Sequence, residues 1–370
     1  MTRRFLVSSL ALVAVATSSV IEAHPGHRTR GTRSTTTQPV GTHGVSGQGT
    51  MRFRVLYGSE KLPEPARQVL TSAHGGFAVD RRPGRGEVYF SLPGVGLLRI
   101  NRDLQRIDTV ATHADMRDVN LHNTTLWEAS DGTPYLTMPA NDAGRVFTTT
   151  LSGELVNTLA PPTRRDDLGH RTVNDYFAAE GTFNPTDVEH FDGRLYVTTG
   201  YSDLDWVLTA RLTNERPVQA SWSDLSFGGR GTTAGLFGTG HGITLVDGVT
   251  PRLEIADRPH AEIDRFSVDG TYLSTLGLPA GAFPCDIDYA GGYAVVGALY
   301  GQDRSKGAPV YVLQNDRVVS EIWPKEELGL EGFQHIHNAV ITQVDGRFYI
   351  IVQSWNPGDF AVLEQVLEPS

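Results

Sequence analysis

The sequence predicts an all-β fold, and within that class a six-bladed β-propeller closed by its N-terminal strand. Three observations predict it. From Met51 onward no long stretch keeps the apolar period of 3.6 that a helix needs. Short β-branched and aromatic runs, broken by Gly, Pro, Asp and Asn, dominate instead. One unit recurs six times: a short apolar strand, an Asp-Gly-type turn, a second strand, a polar loop and a third strand. The last repeat runs out of chain before a fourth strand, whereas residues 51–57 alternate and can supply one from the other terminus. Six repeats over residues 51–370 average about 53 residues, close to the kelch-like period. Radial packing buries both faces of such small sheets. An open pair of sandwiched sheets is the competing arrangement.

Blade 1 is read from Gly75-Gly76-Phe77-Ala78-Val79-Asp80 and Glu87-Val88-Tyr89-Phe90. Blade 2 starts at His122, turns at Asp131-Gly132 and returns through Tyr135-Leu136-Thr137. Blade 3 has Pro185-Thr186-Asp187-Val188, a turn at Asp192-Gly193 and Leu195-Tyr196-Val197. Blade 4 has His241-Gly242-Ile243, Asp247-Gly248 and the run Leu253-Glu254-Ile255-Ala256-Asp257-Arg258. Blade 5 has Cys285-Asp286-Ile287, Gly291-Gly292 and Tyr293-Ala294-Val295-Val296. Blade 6 has His337-Asn338-Ala339-Val340, Asp345-Gly346 and Phe348-Tyr349-Ile350-Ile351. The glycine pairs supply the positive φ that tight hairpins require, and the apolar runs suit a half-buried pleat.

Residues 1–23 read as a secretion signal. Arg3 and Arg4 form a basic start, residues 5–16 are apolar apart from Ser8 and Ser9, and Ile21-Glu22-Ala23 offers small-residue cleavage. Thr2-Arg3-Arg4-Phe5-Leu6 resembles a twin-arginine signal, one residue short of its usual pattern. A secreted or periplasmic protein is expected, with no membrane span, because no later apolar run is long enough for one. Residues 24–50, rich in Thr, Ser, Gly, Arg and His, predict a flexible tether, and residues 51–370 the propeller. A hydrophobic content of 39% over 370 residues excludes wholesale disorder. The net charge of −10 argues against a nucleic-acid or anionic-membrane partner. A small-molecule or peptide substrate is expected instead. The one cysteine, Cys285, excludes an internal disulfide and a Cys-rich zinc module.

Aligned on the start of the first strand, the repeats place Gly75, His122, Thr186, His241, Cys285 and His337 in one slot. First strands line the channel of a propeller, so these residues form a ring about the axis. Blades 2, 4 and 6 carry histidine there, about 120° apart in a six-fold ring. Three neutral imidazoles with an open fourth position make a catalytic zinc arrangement. The alternative is that the histidines plug the channel and bond to backbone carbonyls. His74, one residue before its slot, is expected to lie outside the ring. Cys285 is read as a buried thiol or an accessory soft ligand.

In this order the motifs resemble the peptidyl-α-hydroxyglycine α-amidating lyases, which are NHL-repeat six-bladed propellers. The resemblance covers most of residues 51–370 through short matches. It implies that the histidines of Leu121-His122-Asn123, Gly240-His241-Gly242 and Ile336-His337-Asn338 hold a catalytic Zn²⁺. Pro185-Thr186-Asp187-Val188 is similar to the motif of the family's third blade. Thr199-Gly200-Tyr201 is similar to its Asp-Gly-Tyr, which makes Tyr201 the catalytic tyrosine. Ala256-Asp257-Arg258 matches the fourth blade's Ala-Asp-Arg and places Arg258 at the active site. The departures are specific. The family's blade 1 arginine falls on Ser91-Leu92-Pro93, and a methionine before the last zinc histidine is His335. The family's Glu-Asn-x-Arg after Ala-Asp-Arg is Pro259-His260-Ala261-Glu262. The aspartate that helps bind a structural Ca²⁺ is Asn338, which weakens the expectation of that ion.

The resemblance implies a zinc-dependent carbon–nitrogen lyase that cleaves a carbinolamide to an amide and glyoxylate. Tyr201 acts as base, its pKa lowered by Zn²⁺ and Arg258. Judged alone, Tyr201 reads equally as a packed rim aromatic and Arg258 as a salt-bridge partner of Asp257. Two other functions stay open: a zinc-dependent hydrolase or lactonase, and a non-catalytic propeller that binds through its rim.

Overall fold

The computed structural model describes residues 44–367. The expected secretion signal and residues 24–43 of the expected tether lie outside the described residues. The rest is a six-bladed β-propeller of small antiparallel sheets. Blade 1 comprises Ala78–Val79, Val88–Leu92, Gly96–Ile100 and Ile107–Thr109, and blade 2 Thr125–Glu128, Pro134–Ala140, Arg145–Thr150 and Leu155–Leu159. Blade 3 runs through Asp187–Phe191, Arg194–Thr198, Trp206–Glu215 and Val218–Gly228, and blade 4 through Gly240–Val246, Arg252–Asp257, Glu262–Ser267 and Tyr272–Gly277. Blade 5 is Pro284–Ala290, Tyr293–Ala298, Val310–Gln314 and Arg317–Ile322. Blade 6 takes His335–Val344, Arg347–Trp355 and Asp359–Gln365 from the C-terminal end and Met51–Gly58 from the other. Among the described residues no helix is long and apolar enough to cross a membrane.

The closing strand pairs as the alternation of residues 51–57 predicts. Phe53 lies opposite Gln365, Val55 opposite Leu363 and Gly58 opposite Ala361. The tether boundary shifts: Ser46–Gln48 forms a fifth strand on Met51–Gly58 instead of remaining part of a loose segment. Its anchors explain why. Gln48 N–H donates to Ser320 Oγ at 2.8 Å, and Trp323 N–H donates to Ser46 Oγ at 2.7 Å, so the strand ties blade 6 to blade 5. The core lies between blades. Tyr89, Leu97, Leu136 and Phe147 join blades 1 and 2, and Tyr196, Phe227, Ile255 and Phe266 join blades 3 and 4. Phe53, Val295, Phe333 and Ile350 join blades 5 and 6. Further clusters join blades 6 and 1, 2 and 3, and 4 and 5, so each sheet buries both faces and its first strand is left to present polar groups to the channel.

Candidate functional site

The slot histidines meet. The ring centroids of His122 and His241 are 4.7 Å apart, those of His122 and His337 4.6 Å, and those of His241 and His337 5.1 Å. All three side chains are buried. Each is oriented by a carbonyl on a neighbouring blade: His122 Nδ1 bonds Thr186 O at 2.6 Å, His241 Nδ1 bonds Cys285 O at 2.7 Å, and His337 Nδ1 bonds Gly75 O at 3.2 Å. A carbonyl only accepts, so Nδ1 carries the proton in each ring and a neutral imidazole is left with its lone pair on Nε2. Burial, with Arg258 and His122 nearby, holds His241 well below the usual imidazole range. Burial, with His74 and His122 nearby, does the same to His337. His241 and His337 thus present neutral rings, and the ligand atoms of His74, His122 and His337 lie within 4.8 Å of one another. Carbonyl bonding and convergence thus occur together: one nitrogen of each ring serves the first and the other serves the second.

Tyr201 and Arg258 join this cluster. Tyr201 sits on the loop between the second and third strands of blade 3. Ser202 N–H donates to Thr199 O at 2.8 Å and Thr199 Oγ1 donates to Trp206 O at 2.7 Å, which folds the loop inward. A Cβ at Gly200 would lie 2.3 Å from Gly240 O, so only glycine lets the loop close onto the strand of His241. The Tyr201 hydroxyl then lies 3.3 Å from His122 Nε2 and 3.1 Å from His241 Nε2. Arg258 follows directly on strand Arg252–Asp257. It donates from Nη1 to the Tyr201 hydroxyl at 2.8 Å and from Nη2 to Cys285 Sγ at 3.2 Å. Asp257 is not its partner: that carboxylate accepts from Gly238 N, Thr239 N and His260 Nδ1. The expected lowering of the Tyr201 pKa by Arg258 is present but outweighed. Burial pushes the phenol above its ordinary value. Burial likewise pushes the Cys285 thiol up.

Two features escaped sequence reasoning. His74 belongs to the ring after all, with its centroid 4.7 Å from that of His122 and 4.4 Å from that of His337. The signal was the glycine in the slot of blade 1: Gly75 contributes no side chain to the ring, and the preceding residue does. The second is a further ring one residue along, formed by Gly76, Asn123, Asp187, Gly242, Asp286 and Asn338. Asn338 Nδ2 donates to Asp286 Oδ2 at 3.0 Å, Asn123 Nδ2 donates to the same oxygen at 3.3 Å, and Ile243 N–H donates to Asp187 Oδ2 at 2.8 Å. Below it a channel cavity of about 670 Å³ is lined by Glu189, Asp286 and Asp288 among others.

Asp205 ties the Tyr201 loop to the strand of His241, its Oδ1 accepting from Gly240 N–H at 2.9 Å. Its Oδ2 is buried without a hydrogen-bond partner, and burial raises its pKa from 3.8 to about 7. A carboxyl whose folded pKa is raised favours folding while protonated. Its contribution is fully present below pH 3.8 and is lost as pH rises through about 7. Asp205→Asn keeps an acceptor for Gly240 and removes the charge, and its φ of 53° suits asparagine. The variant is expected to be more stable than the parent at pH 8, by up to about 4 kcal/mol, and to match it near pH 4. Urea unfolding at both pH values measures this, and equal stability at pH 8 contradicts it.

No protein-family model and no curated protein matches the chain. Among solved structures it is similar to a catalytically inactive virginiamycin B lyase from Staphylococcus aureus with quinupristin. The identity is 12%, over 87% of this chain and 100% of that one, with a TM-score of 0.49. It is also similar to a streptogramin B lyase, at 14% identity over 80% of this chain and 95% of that one, TM-score 0.49. The six-bladed arrangement described above rests on strand pairing and not on these likenesses.

Proposed function

We propose that this protein is a secreted, zinc-dependent carbon–nitrogen lyase acting on a carbinolamide of the peptidyl-α-hydroxyglycine type, with His122, His241 and His337 as the metal ligands. One observation carries the metal. His122 Nε2 and His337 Nε2 lie 3.1 Å apart, and in neutral rings whose Nδ1–H serves a carbonyl both of these nitrogens carry lone pairs. Two facing lone pairs repel unless a cation lies between them. Two nitrogens on one tetrahedral zinc, at about 2.0–2.1 Å each, are roughly 3.3 Å apart. When bound, zinc polarises a substrate oxygen and stabilises the charge that develops on it.

The chain's own groups supply the rest. Tyr201, as phenolate, takes the proton of the substrate hydroxyl. The carbon–nitrogen bond breaks as the carbonyl of glyoxylate forms, and the amide nitrogen leaves with a proton returned from Tyr201. The Arg258 guanidinium, donating to the Tyr201 oxygen, favours the phenolate that burial disfavours. Calcium is left out of this reading. The Asn338 side chain donates to Asp286 and its Oδ1 accepts from Phe77 N–H, a hydrogen-bonded plug where the family has a carboxylate ligand.

A second reading, a zinc-dependent hydrolase or lactonase, keeps the metal and needs no blade 1 arginine, in whose stretch this chain has Ser91. Ser91 is buried and donates to Leu121 O at 2.9 Å. The purified protein is expected to hold one zinc per chain by elemental analysis, and His241→Ala to lose most of it. Glyoxylate release from a peptidyl-α-hydroxyglycine, run beside lactones and esters, decides the reaction. Lactone hydrolysis without glyoxylate moves the protein to the second reading. Silence on both panels with zinc bound leaves a binding propeller.

A further inference from the structure

We propose that His74 is a fourth ligand of the channel metal, so that the resting ion is held by four imidazoles from blades 1, 2, 4 and 6. The proposal rests on the metal reading above and adds to its donor set. His74, His122 and His337 each present one ligand atom, and these atoms lie within 4.8 Å of one another. His74 is 9% exposed, and its ring packs on those of both other histidines, at 59° to His337 and 86° to His122. Imidazoles set at steep angles around a point are what ligation by several rings requires, because each lone pair lies in its own ring plane.

Glycine makes the position possible. The slot residue of blade 1 is Gly75, and a Cβ there would lie 2.9 Å from Ser91 O and 3.3 Å from Leu121 O. The slot can therefore hold no side chain, and His74 fills the sector of the ring that blade 1 leaves open.

The far side of the His74 ring is held by the Asn120 side chain, whose Nδ2 donates to His74 Nδ1 and, at 3.0 Å, to Asn141 Oδ1. Its Nδ1 lies 2.7 Å from the Asn120 side-chain amide, so Nε2 is the coordinating nitrogen. Coordination through Nε2 puts the ring proton on Nδ1. The Asn120 Oδ1, buried and without a hydrogen-bond partner, becomes its acceptor only if the amide turns over and gives up its bond to Asn141 Oδ1. On the outer side His74 touches Trp355, with centroids 5.7 Å apart.

Four imidazoles close a zinc site, whereas catalysis needs an open position. His74 must therefore withdraw before a substrate oxygen reaches the metal, which makes it a gate as well as a ligand. The other three rings bond through Nδ1 to a backbone carbonyl, while His74 Nδ1 bonds to a side-chain amide.

The test uses Co²⁺ in place of zinc and compares the full-length protein with His74→Ala and the size-conserving His74→Gln. Wild type should show the strong visible absorption of four-coordinate Co²⁺. Both variants should show a weaker band as water enters, and a Kd for Zn²⁺ raised at least about 10-fold in chelator competition. Far-UV circular dichroism of the metal-free proteins checks that both variants fold. An unchanged spectrum and Kd in either folded variant, while His241→Ala weakens binding, overturns the His74 assignment alone. No bound metal in wild type removes the metal reading and this proposal with it.

Discussion

Tyr201→Phe is expected to lower turnover by roughly 10²–10⁴-fold, the usual worth of a positioned base, while leaving the zinc content unchanged. The reasoning separates the two roles by atom. On the proposed reading imidazole nitrogens would hold the ion, and each ring is oriented by a carbonyl that the substitution does not touch. The phenol hydroxyl reaches both His122 Nε2 and His241 Nε2 while accepting from Arg258. Phenylalanine keeps the ring, which packs edge-on against His122 with centroids 5.1 Å apart, so the loop should hold its shape. Metal analysis and rates on whichever substrate proves active are measured on the same preparation. Full activity in the variant would show that Tyr201 is a packed aromatic and not the base. Loss of zinc together with activity would show that the hydroxyl serves the metal site instead.

Phe53→Ala is expected to cost about 3–5 kcal/mol of stability, the range for truncating a buried phenylalanine. Phe53 lies on the strand that closes the ring and is fully buried among Val295, Phe333, Ile350 and Leu363. Its loss leaves a cavity between blades 5 and 6 and weakens the one junction in which strands from opposite ends of the chain pair. A comparable cavity inside a continuous blade leaves the covalent hairpins on both sides intact. Here the pairing of Met51–Gly58 with Asp359–Gln365 is all that prevents two exposed edges. Denaturant unfolding, with the same dependence on denaturant in both proteins, gives the value directly. A loss below about 1 kcal/mol would mean that ring closure does not depend on this contact.

The architecture and the three-fold histidine set were legible in the sequence because both are periodic. A repeat that buries both faces of every sheet must show its strands and turns again and again. A residue at the same place in alternate repeats must then face the same axis. The closing strand was legible for the same reason, as a missing fourth strand at one end and a spare one at the other. Tyr201 and Arg258 were reached through resemblance, and their contact with each other lay beyond any spacing argument, since they come from different blades.

What the sequence determined by itself is therefore the propeller, its closure and the slot shared by His122, His241 and His337. The tertiary structure decided the rest. It brought His74 into the ring, because the packing of Ser91 O and Leu121 O against Gly75 bars a side chain from that slot, and those carbonyls come from elsewhere in the fold. It gave Ser46–Gln48 to the closing blade, because polar residues form a strand when a neighbouring blade supplies partners such as Ser320. It also set the state of Tyr201. Arg258 alone would lower the phenol's pKa, but burial acts on the same oxygen in the opposite sense and is the larger effect. Burial depends on every residue that surrounds a group, and around Tyr201 these include His122, His241, Arg258 and Cys285 from three other blades, so it exists only once the chain has folded.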